Sequence, residues 1–343
     1  MTEARDPVGD LRRIAFLLER ANEPSYRVRA FRRAAATLQQ LDPGEAAERV
    51  RRGTLRELGG IGEVLERTIA ESLRGEEPVY LRRLEATGGR AVAELGADLC
   101  EALAGDCHVH SDWSDGGSPI REMAESAREL GHDYIVLTDH SPSLTVANGL
   151  TAERLELQLD EVAELNAELA PFRILTGIEV DILADGSLDQ APELLTRLDV
   201  VVGSVHSELR MAERLMTRRL VTALADPHLD ILGHCTGRMV TGKRSRPPSA
   251  FDAEIVFAAA ARFGKAVEVN ARPERLDPPK RLLRLAVEGG CRVAIDSDAH
   301  APGQLAWQPY GCDRAAACGV QANMVVNTLD ADALLAWARA HEG

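Results

Sequence analysis

Nine residues constrain this chain more than any stretch of its composition: His108, His110, Asp115, His140, Glu179, His206, His234, Asp298 and His300. The chain holds nine histidines, and six of them fall in this set. Each of the nine lies at or just past the end of a short apolar run that reads as a β-strand. His108 and His110 are two apart, so on a strand their side chains point to the same side. Histidines and carboxylates collected at one edge of a sheet are what a multi-metal site requires. A four-coordinate ion with an open position uses about three protein ligands. Nine candidates, one of them a carboxylate able to bridge, therefore point to two or three ions. Each imidazole must be neutral to coordinate, so metal affinity should fall below about pH 6.

The runs that end in these residues span 106–109, 134–138, 174–182, 199–205, 229–233, 266–270 and 292–296. Val200-Val201-Val202 and Ile135-Val136-Leu137 are continuously apolar, as expected of strands covered on both faces. Helical stretches over 118–131, 151–169, 210–225, 249–263 and 278–289 lie between most of them. That alternation predicts parallel strands in a (β/α) barrel with its site at the C-terminal ends of the strands. The remaining histidines, His132, His228 and His341, read as satisfied or surface groups. Asp112, Asp139 and Asp181 read as supports or turn residues rather than ligands. Cys107 and Cys235 adjoin proposed ligands but read as small buried residues.

Residues 1–90 have a different character. Apolar positions Leu11, Ile14, Leu17 and Leu18, then Val28, Phe31, Ala35 and Leu38, recur at helical spacing. A second helical pair flanks Gly59-Gly60-Ile61-Gly62, an arrangement that resembles a helix-hairpin-helix. Glycines there allow a tight turn whose backbone N–H groups can meet a phosphate. Residues 1–90 carry 17 arginines against 15 acidic residues, whereas the rest of the chain has an acidic excess, within an overall charge of −14. Acid excess suits a carboxylate-rich metal centre and argues against the larger part gripping nucleic acid by charge alone. The expected organisation is a small all-α domain over 1–90, a linker over 91–104 and the barrel over 105–343. The six cysteines form no CxxC pair, the N-terminus is polar, and no apolar run reaches about 18 residues. Those three features lead us to expect reduced thiols, a cytoplasmic location and no membrane span.

Read in order, His108-Val109-His110, Ser114-Asp115-Gly116, Thr138-Asp139-His140, Gly177-Ile178-Glu179, Gly203-Ser204-Val205-His206, Ile231-Leu232-Gly233-His234 and Asp298-Ala299-His300 resemble the motifs of the PHP (polymerase and histidinol phosphatase) family over residues 105–328. The resemblance implies a distorted seven-stranded barrel and three divalent ions (Zn, Mn or Fe) that hydrolyse phosphoesters. It implies one ion on His108, His110, Glu179 and Asp298, a second on Glu179, His206 and His234, and a third on Asp115, His140 and His300, with Glu179 as the bridge. Glu179, Asp115 and His206 are then the residues expected to matter most for catalysis. Gly233-His234, with Arg238, Arg246 and Asn270 to Arg275 after it, is similar to the PHP domain of bacterial family X DNA polymerases. Residues 8–85 resemble the DNA-binding domain at the start of those enzymes. No counterpart of their polymerase core lies between, so no polymerase activity is expected. The lysine that forms a Schiff base in that domain has no match either, because residues 1–242 contain no lysine and Thr68 stands at the corresponding position.

These features set the expected substrate. Arg238, Arg246 and Arg275 are candidates to clamp a phosphate, with Lys243 in the same loop. Gly60, Ile61, Gly62, Arg27 and Arg32 are candidates to hold DNA without reading its sequence. The expected activity is a phosphoesterase on DNA ends, as a 3′–5′ exonuclease or 3′ phosphatase. The alternative is a phosphatase for a small phosphomonoester such as histidinol phosphate. An amidohydrolase barrel and a non-enzymatic DNA-binding module fit the ligand pattern less well.

Overall fold

The computed structural model describes residues 5–87, 92–241 and 245–341. Lys243 lies outside the described residues, as do positions 88–91 around the expected domain boundary. The chain divides into two compact units, Met1–Arg90 and Ala91–Gly343.

The first unit is helical: α1 (Pro7–Arg20), α2 (Ser25–Gln39), α3 (Glu45–Arg52), α4 (Glu63–Leu73) and α5 (Val79–Thr87). Asp6 starts α1 by accepting the backbone N–H groups of Val8 and Gly9, the usual remedy for the unpaired donors of a first turn. Leu11, Ile14, Leu18, Phe31, Leu38, Leu65 and Ile69 form the shared core. These are the positions the helical period selects.

The second unit is the barrel. Its strands are β1 (Gly105–Val109), β2 (Tyr134–Leu137), β3 (Arg173–Asp181), β4 (Val200–Ser204), β5 (Ile231–Leu232), β6 (Ala266–Asn270) and β7 (Arg292–Asp296). They are parallel and neighbour one another in chain order. The helices of this unit are α6 (Ala97–Ala102), α7 (Ile120–Glu129), α8 (Ala152–Leu169), α9 (Pro192–Leu195), α10 (Glu213–Leu224), α11 (Ala253–Arg262), α12 (Lys280–Glu288), α13 (Gln308–Ala316) and α14 (Ala331–Arg339). The expected linker over 91–104 is not a free connector. Leu99 and Leu103 are buried against Val269, Leu283 and Ile295, and Asp313 accepts the N–H groups of Glu94 and Gly96. Gly96 has no room for a side chain, since a Cβ would stand 2.3 Å from the backbone of Cys312.

The distortion of the barrel has a visible cause. Between β1 and β7 the ladder shrinks to a bridge of Val109 with Ala299, and His110 donates its N–H to the Ala299 carbonyl at 2.8 Å. Lower down, side-chain amides replace the backbone ladder. Asn327 donates to the carbonyls of Gly105 and Ile295 and accepts the Ile295 N–H, while Gln308 donates to the same two carbonyls. Buried backbone groups left open by the seam are thereby satisfied.

Along each strand the inward positions change character. Val136, Leu175, Val200, Val202, Ile231, Ala266 and Ala294 form an apolar lower layer closed by Leu334, Leu335 and Ala338 of α14. One or two inward steps further along the same strands, the side chains are His and carboxylate. The fold thus places its polar residues together at the C-terminal mouth, above an apolar floor.

Candidate metal centre

Glu179 stands at the centre of the mouth. It is 1% exposed on β3. Its Oε2 lies 3.4 Å from His108 Nε2, 3.6 Å from His110 Nε2 and 2.8 Å from His140 Nδ1. Its Oε1 lies 3.4 Å from His206 Nε2 and 2.9 Å from His234 Nε2. One carboxylate therefore faces imidazoles on two sides, the geometry a bridging ligand needs. Asp115 Oδ1 lies 3.3 Å from His300 Nε2 and 3.5 Å from His140 Nε2. Asp298 Oδ1 lies 3.6 Å from His110 Nε2. Asp298 itself adopts a left-handed backbone, φ 54°, a conformation Asp tolerates better than most residues.

Three sets of side chains have ligand atoms close enough to share an ion: His110, Asp115, His140 and His300; His108, His110 and Glu179; His140, Glu179 and His206. All nine sequence candidates come together at this mouth. The partition differs from the one the resemblance implies: His110 and His140 each belong to two sets, and His234 and Asp298 belong to none of the three. The donor chemistry fits divalent cations. Both oxygens of Glu179, both ring nitrogens of His110, His206 and His234, His108 Nε2 and His140 Nδ1 are buried without a hydrogen-bond partner. Polar atoms that bury without partners cost free energy, and bound cations would relieve those on the Glu179 side.

Charge shapes the ligands. Burial raises Glu179, but His108, His206 and His140 outweigh it and hold its carboxyl well below the usual range. Burial likewise opposes ionisation of Asp298, while Arg275 and Arg272 hold it well below that range. Burial and the rings of His300 and His140 push His110 far down. His206 goes the other way: burial lowers it, but Glu179 and Asp181 bring it up to about 9. His132, His228 and His341 belong to none of the three sets. His341 sits at the opposite end, 2.7 Å from Asp230.

Supporting carboxylates lie behind the ligands. Asp181 accepts the His206 N–H at 3.0 Å and approaches its Nδ1 at 3.3 Å. Asp139 accepts from the Ser111 N–H, the hydroxyls of Ser111 and Ser114, and the Gln158 amide, which ties down the loop bearing Asp115. Asp112 is exposed on the same loop. Cys107 and Cys235 are free and buried.

The arginines near the mouth differ in their surroundings. Arg238 donates to the carbonyls of Arg275 and Leu276, and Arg246 Nε donates to the Gly237 carbonyl at 2.6 Å. These contacts brace the loops after β5 and β6. Arg275 does reach the mouth, with Nε 3.0 Å from Asp298 Oδ2. Arg272, absent from the sequence-based candidates, joins it: its Nη1 lies 3.1 Å from His300 Nδ1 and 3.6 Å from Asp298 Oδ1. The signal for Arg272 was its place two residues after Asn270, at the end of β6. Glu268, fully buried on the same strand, also escaped the sequence reading.

In the helical unit, Gly60 has φ 85°, and a Cβ at Gly59, Gly60 or Gly62 would meet nothing within 4 Å. The turn backbone is open, and Gly62 leads directly into α4. Ile61 is 5% exposed and belongs to the core, which anchors the turn. The two arginine candidates both take part in ion pairs within the unit. Arg32 pairs with buried Glu19 through Nε at 2.9 Å and Nη2 at 2.7 Å. Arg27 donates to Glu23 and to the Tyr80 hydroxyl. Both guanidinium groups serve the internal packing of the unit. Thr68 is buried and donates its hydroxyl to the Val64 carbonyl.

Comparison with known proteins places these observations in context. Residues 106–271 match the PHP domain, and residues 4–78 match a helix-hairpin-helix domain. The DNA polymerase/3′-5′ exonuclease PolX of Bacillus subtilis is 46% identical over 198 residues, 58% of this chain and 34% of that protein. The chain thus spans about a third of the length of that relative. A protein of Thermoanaerobacter sp. described as a probable phosphatase is 29% identical over 206 residues, 57% of this chain and 78% of its own length. Among solved structures, histidinol phosphate phosphatase of Lactococcus lactis, complexed with zinc, L-histidinol and phosphate, covers 64% of this chain and 95% of its own at 19% identity and TM-score 0.46.

Proposed function

Starting from a chain that carries a PHP domain behind a helix-hairpin-helix domain, we propose that it is a metal-dependent phosphoesterase acting on DNA ends, as a 3′–5′ exonuclease or 3′ phosphatase. The observation that carries this reading is the buried set of unpartnered imidazole and carboxylate atoms around Glu179. His108, His110, Asp115, His140, Glu179, His206, His234, Asp298 and His300 are the residues that would hold divalent ions, three in number under this reading. Zinc, manganese and iron all suit such a donor set. When bound, such ions supply Lewis-acid activation of water and neutralise charge on phosphoryl oxygens.

The protein's own residues set access and orientation. Asp115 is the most open of the ligand side chains at 39% exposure, while His206, His300 and Arg272 are exposed by 11%, 17% and 21%. The substrate therefore enters on the side of Asp115 and His300. Arg272 stands at that entrance as a planar donor fork suited to a phosphate, with Arg275 behind it holding Asp298. The acidic barrel repels a polyanion except where these cations and guanidinium groups gather. DNA is favoured as substrate by the helix-hairpin-helix domain, whose open Gly60–Gly62 turn offers backbone donors to a phosphate.

A second reading, a small phosphomonoester, is favoured by the probable phosphatase from Thermoanaerobacter, which this chain matches over most of that protein's length. The two separate when the full chain, loaded with Mn²⁺ or Zn²⁺, is offered single-stranded DNA, nicked DNA, a 3′-phosphorylated oligonucleotide and histidinol phosphate. Release of nucleotides or of 3′ phosphate is expected. Hydrolysis of histidinol phosphate alone would overturn the preference for DNA. Glu179→Gln and His206→Ala should each lower hydrolysis by more than about 100-fold, and metal-dependent turnover in both variants would remove the basis of the proposal.

A further inference from the structure

β6 contributes none of the nine candidate ligands, although β1 to β5 and β7 each contribute at least one from the strand or just past its end. What it contributes instead is Glu268 and Asn270, both 0% exposed on its inward face. Glu268 Oε1 lies 2.6 Å from His108 Nδ1. Glu268 Oε2 accepts the backbone N–H of His234 and, at 3.2 Å, the Asn270 amide. The same amide nitrogen donates to Asp298 Oδ2 at 3.0 Å. One buried carboxylate and one amide thereby touch three candidate ligands on three other elements.

Resting on the metal-centre reading above, we propose that Glu268 and Asn270 are positioning residues that aim His108, His234 and Asp298 at the ions. Glu268 does so by fixing the proton of His108 on Nδ1. Donors occupy Glu268 Oε2, so Oε1 is the oxygen that meets His108 Nδ1 at 2.6 Å, and a carboxylate there takes a hydrogen from the ring. The ring's lone pair is then on Nε2, which faces Glu179 Oε2 at 3.4 Å and has no hydrogen-bond partner. A lone pair facing a carboxylate across that gap is relieved by a metal ion between them. A carboxylate behind a ligating imidazole also raises the basicity of the ring, and removing such a partner typically lowers metal affinity about 10–100-fold. Asn270 completes the arrangement. Its amide occupies one oxygen of Asp298 and leaves Oδ1 for the centre, 3.6 Å from His110 Nε2.

Glu268→Gln in the full chain tests this, with two readouts beside activity. Competition with a chromophoric chelator measures Zn²⁺ and Mn²⁺ affinity, and histidine ¹⁵N NMR of the metal-free protein shows which His108 nitrogen carries the proton. The expected result is a wild-type melting temperature, metal binding weakened about 10–100-fold, and loss of the fixed Nδ1 proton. A Gln variant that keeps both wild-type affinity and the Nδ1 proton overturns the proposal. So does one that merely melts earlier while binding metal as the wild type does. If Glu268→Gln does not fold, Asn270→Ala takes its place: it must weaken metal binding at least about tenfold while leaving the His108 proton on Nδ1, and unchanged affinity overturns the role of the pair. Failure of the wild type to bind either metal would refute the metal-centre reading itself. The NMR readout would still decide whether Glu268 holds His108.

Discussion

Asp139→Ala should loosen the metal centre from behind, and the size of the effect follows from its contacts. Asp139 is 1% exposed and accepts the Ser111 N–H at 2.9 Å, the Ser111 hydroxyl at 2.6 Å and the Gln158 amide at 2.7 Å, besides the Ser114 hydroxyl. The two hydroxyls can rotate toward other acceptors, whereas the backbone N–H cannot, and the Gln158 amide keeps a polar atom facing the gap whichever way it flips. Each buried donor left without an acceptor costs about 1–3 kcal/mol. Burial already raises the Asp139 carboxyl, so removing that charge recovers part of the loss. A net destabilisation of about 3 kcal/mol results, or roughly 5–10 °C in melting temperature for a unit of this size. Asp139→Asn should cost only about 1 kcal/mol, because its carbonyl can keep the Ser111 N–H while Ser111 Oγ and Gln158 reorient to accept. The loop from Ser111 carries Asp115, so the Ala variant should also bind fewer ions or bind them more weakly. Calorimetry of the metal-free protein and chelator competition on the loaded protein measure the two effects. An Ala variant that melts with the wild type and binds metal equally well would refute the reasoning, as would an Asn variant as damaged as the Ala one.

Three further outcomes follow from the electrostatics. Glu179 and Asp181 bring His206 up to about 9 against the effect of burial, so the metal-free protein holds a proton there at neutral pH that ligation must expel. Metal affinity should therefore climb with pH toward about 9, and calorimetric titrations in buffers of different ionisation enthalpy should show proton release; pH-independent binding would contradict this. Burial pulls the Lys265 amine from 10.5 down to about 8, which corresponds to about 3 kcal/mol against the charged form at neutral pH. The unfolded chain binds more protons between those values, so stability should rise with pH through that window. Lys265→Met should stabilise the fold at pH 7 by about 1–3 kcal/mol and flatten the rise, as measured by chemical denaturation at several pH values. Finally, Arg272→Ala should raise KM for a phosphoester without changing melting temperature, whereas Arg246→Ala should lower melting temperature and leave KM near the wild-type value; the reverse pattern would misplace the phosphate contact.

Much of the barrel was legible because its information is local. Continuous apolar runs such as Val200-Val201-Val202 mark doubly covered strands, and β6 and β7 fall on the residues their patterns select. The ligands were legible because metal chemistry restricts residue type, and histidines at successive strand ends have little other reason to be there. Three features were not. The supports Glu268 and Asn270 look like ordinary polar residues in an apolar strand, since nothing local says which neighbour they face. The packing of the helical connector α6 was not legible, because Asp313, which holds the turn before it, lies more than two hundred residues away. Arginines carry no mark of their partner at all. Arg238, Arg246, Arg27 and Arg32 brace loops and helices, while Arg272 faces the centre, and nothing in the local sequence separates the two cases.

The sequence by itself determined the parallel strand order, the nine side chains that gather at one mouth, and the helical unit with its open Gly60 turn, because each depends on residue type and on period along the chain. Only the tertiary structure decided how those ligands group around Glu179, which arginines reach them and which buried carboxylates hold them in place. Those are matters of distance between elements far apart in sequence, set by the closure of seven strands into a barrel and by the need of every buried polar group to find a partner.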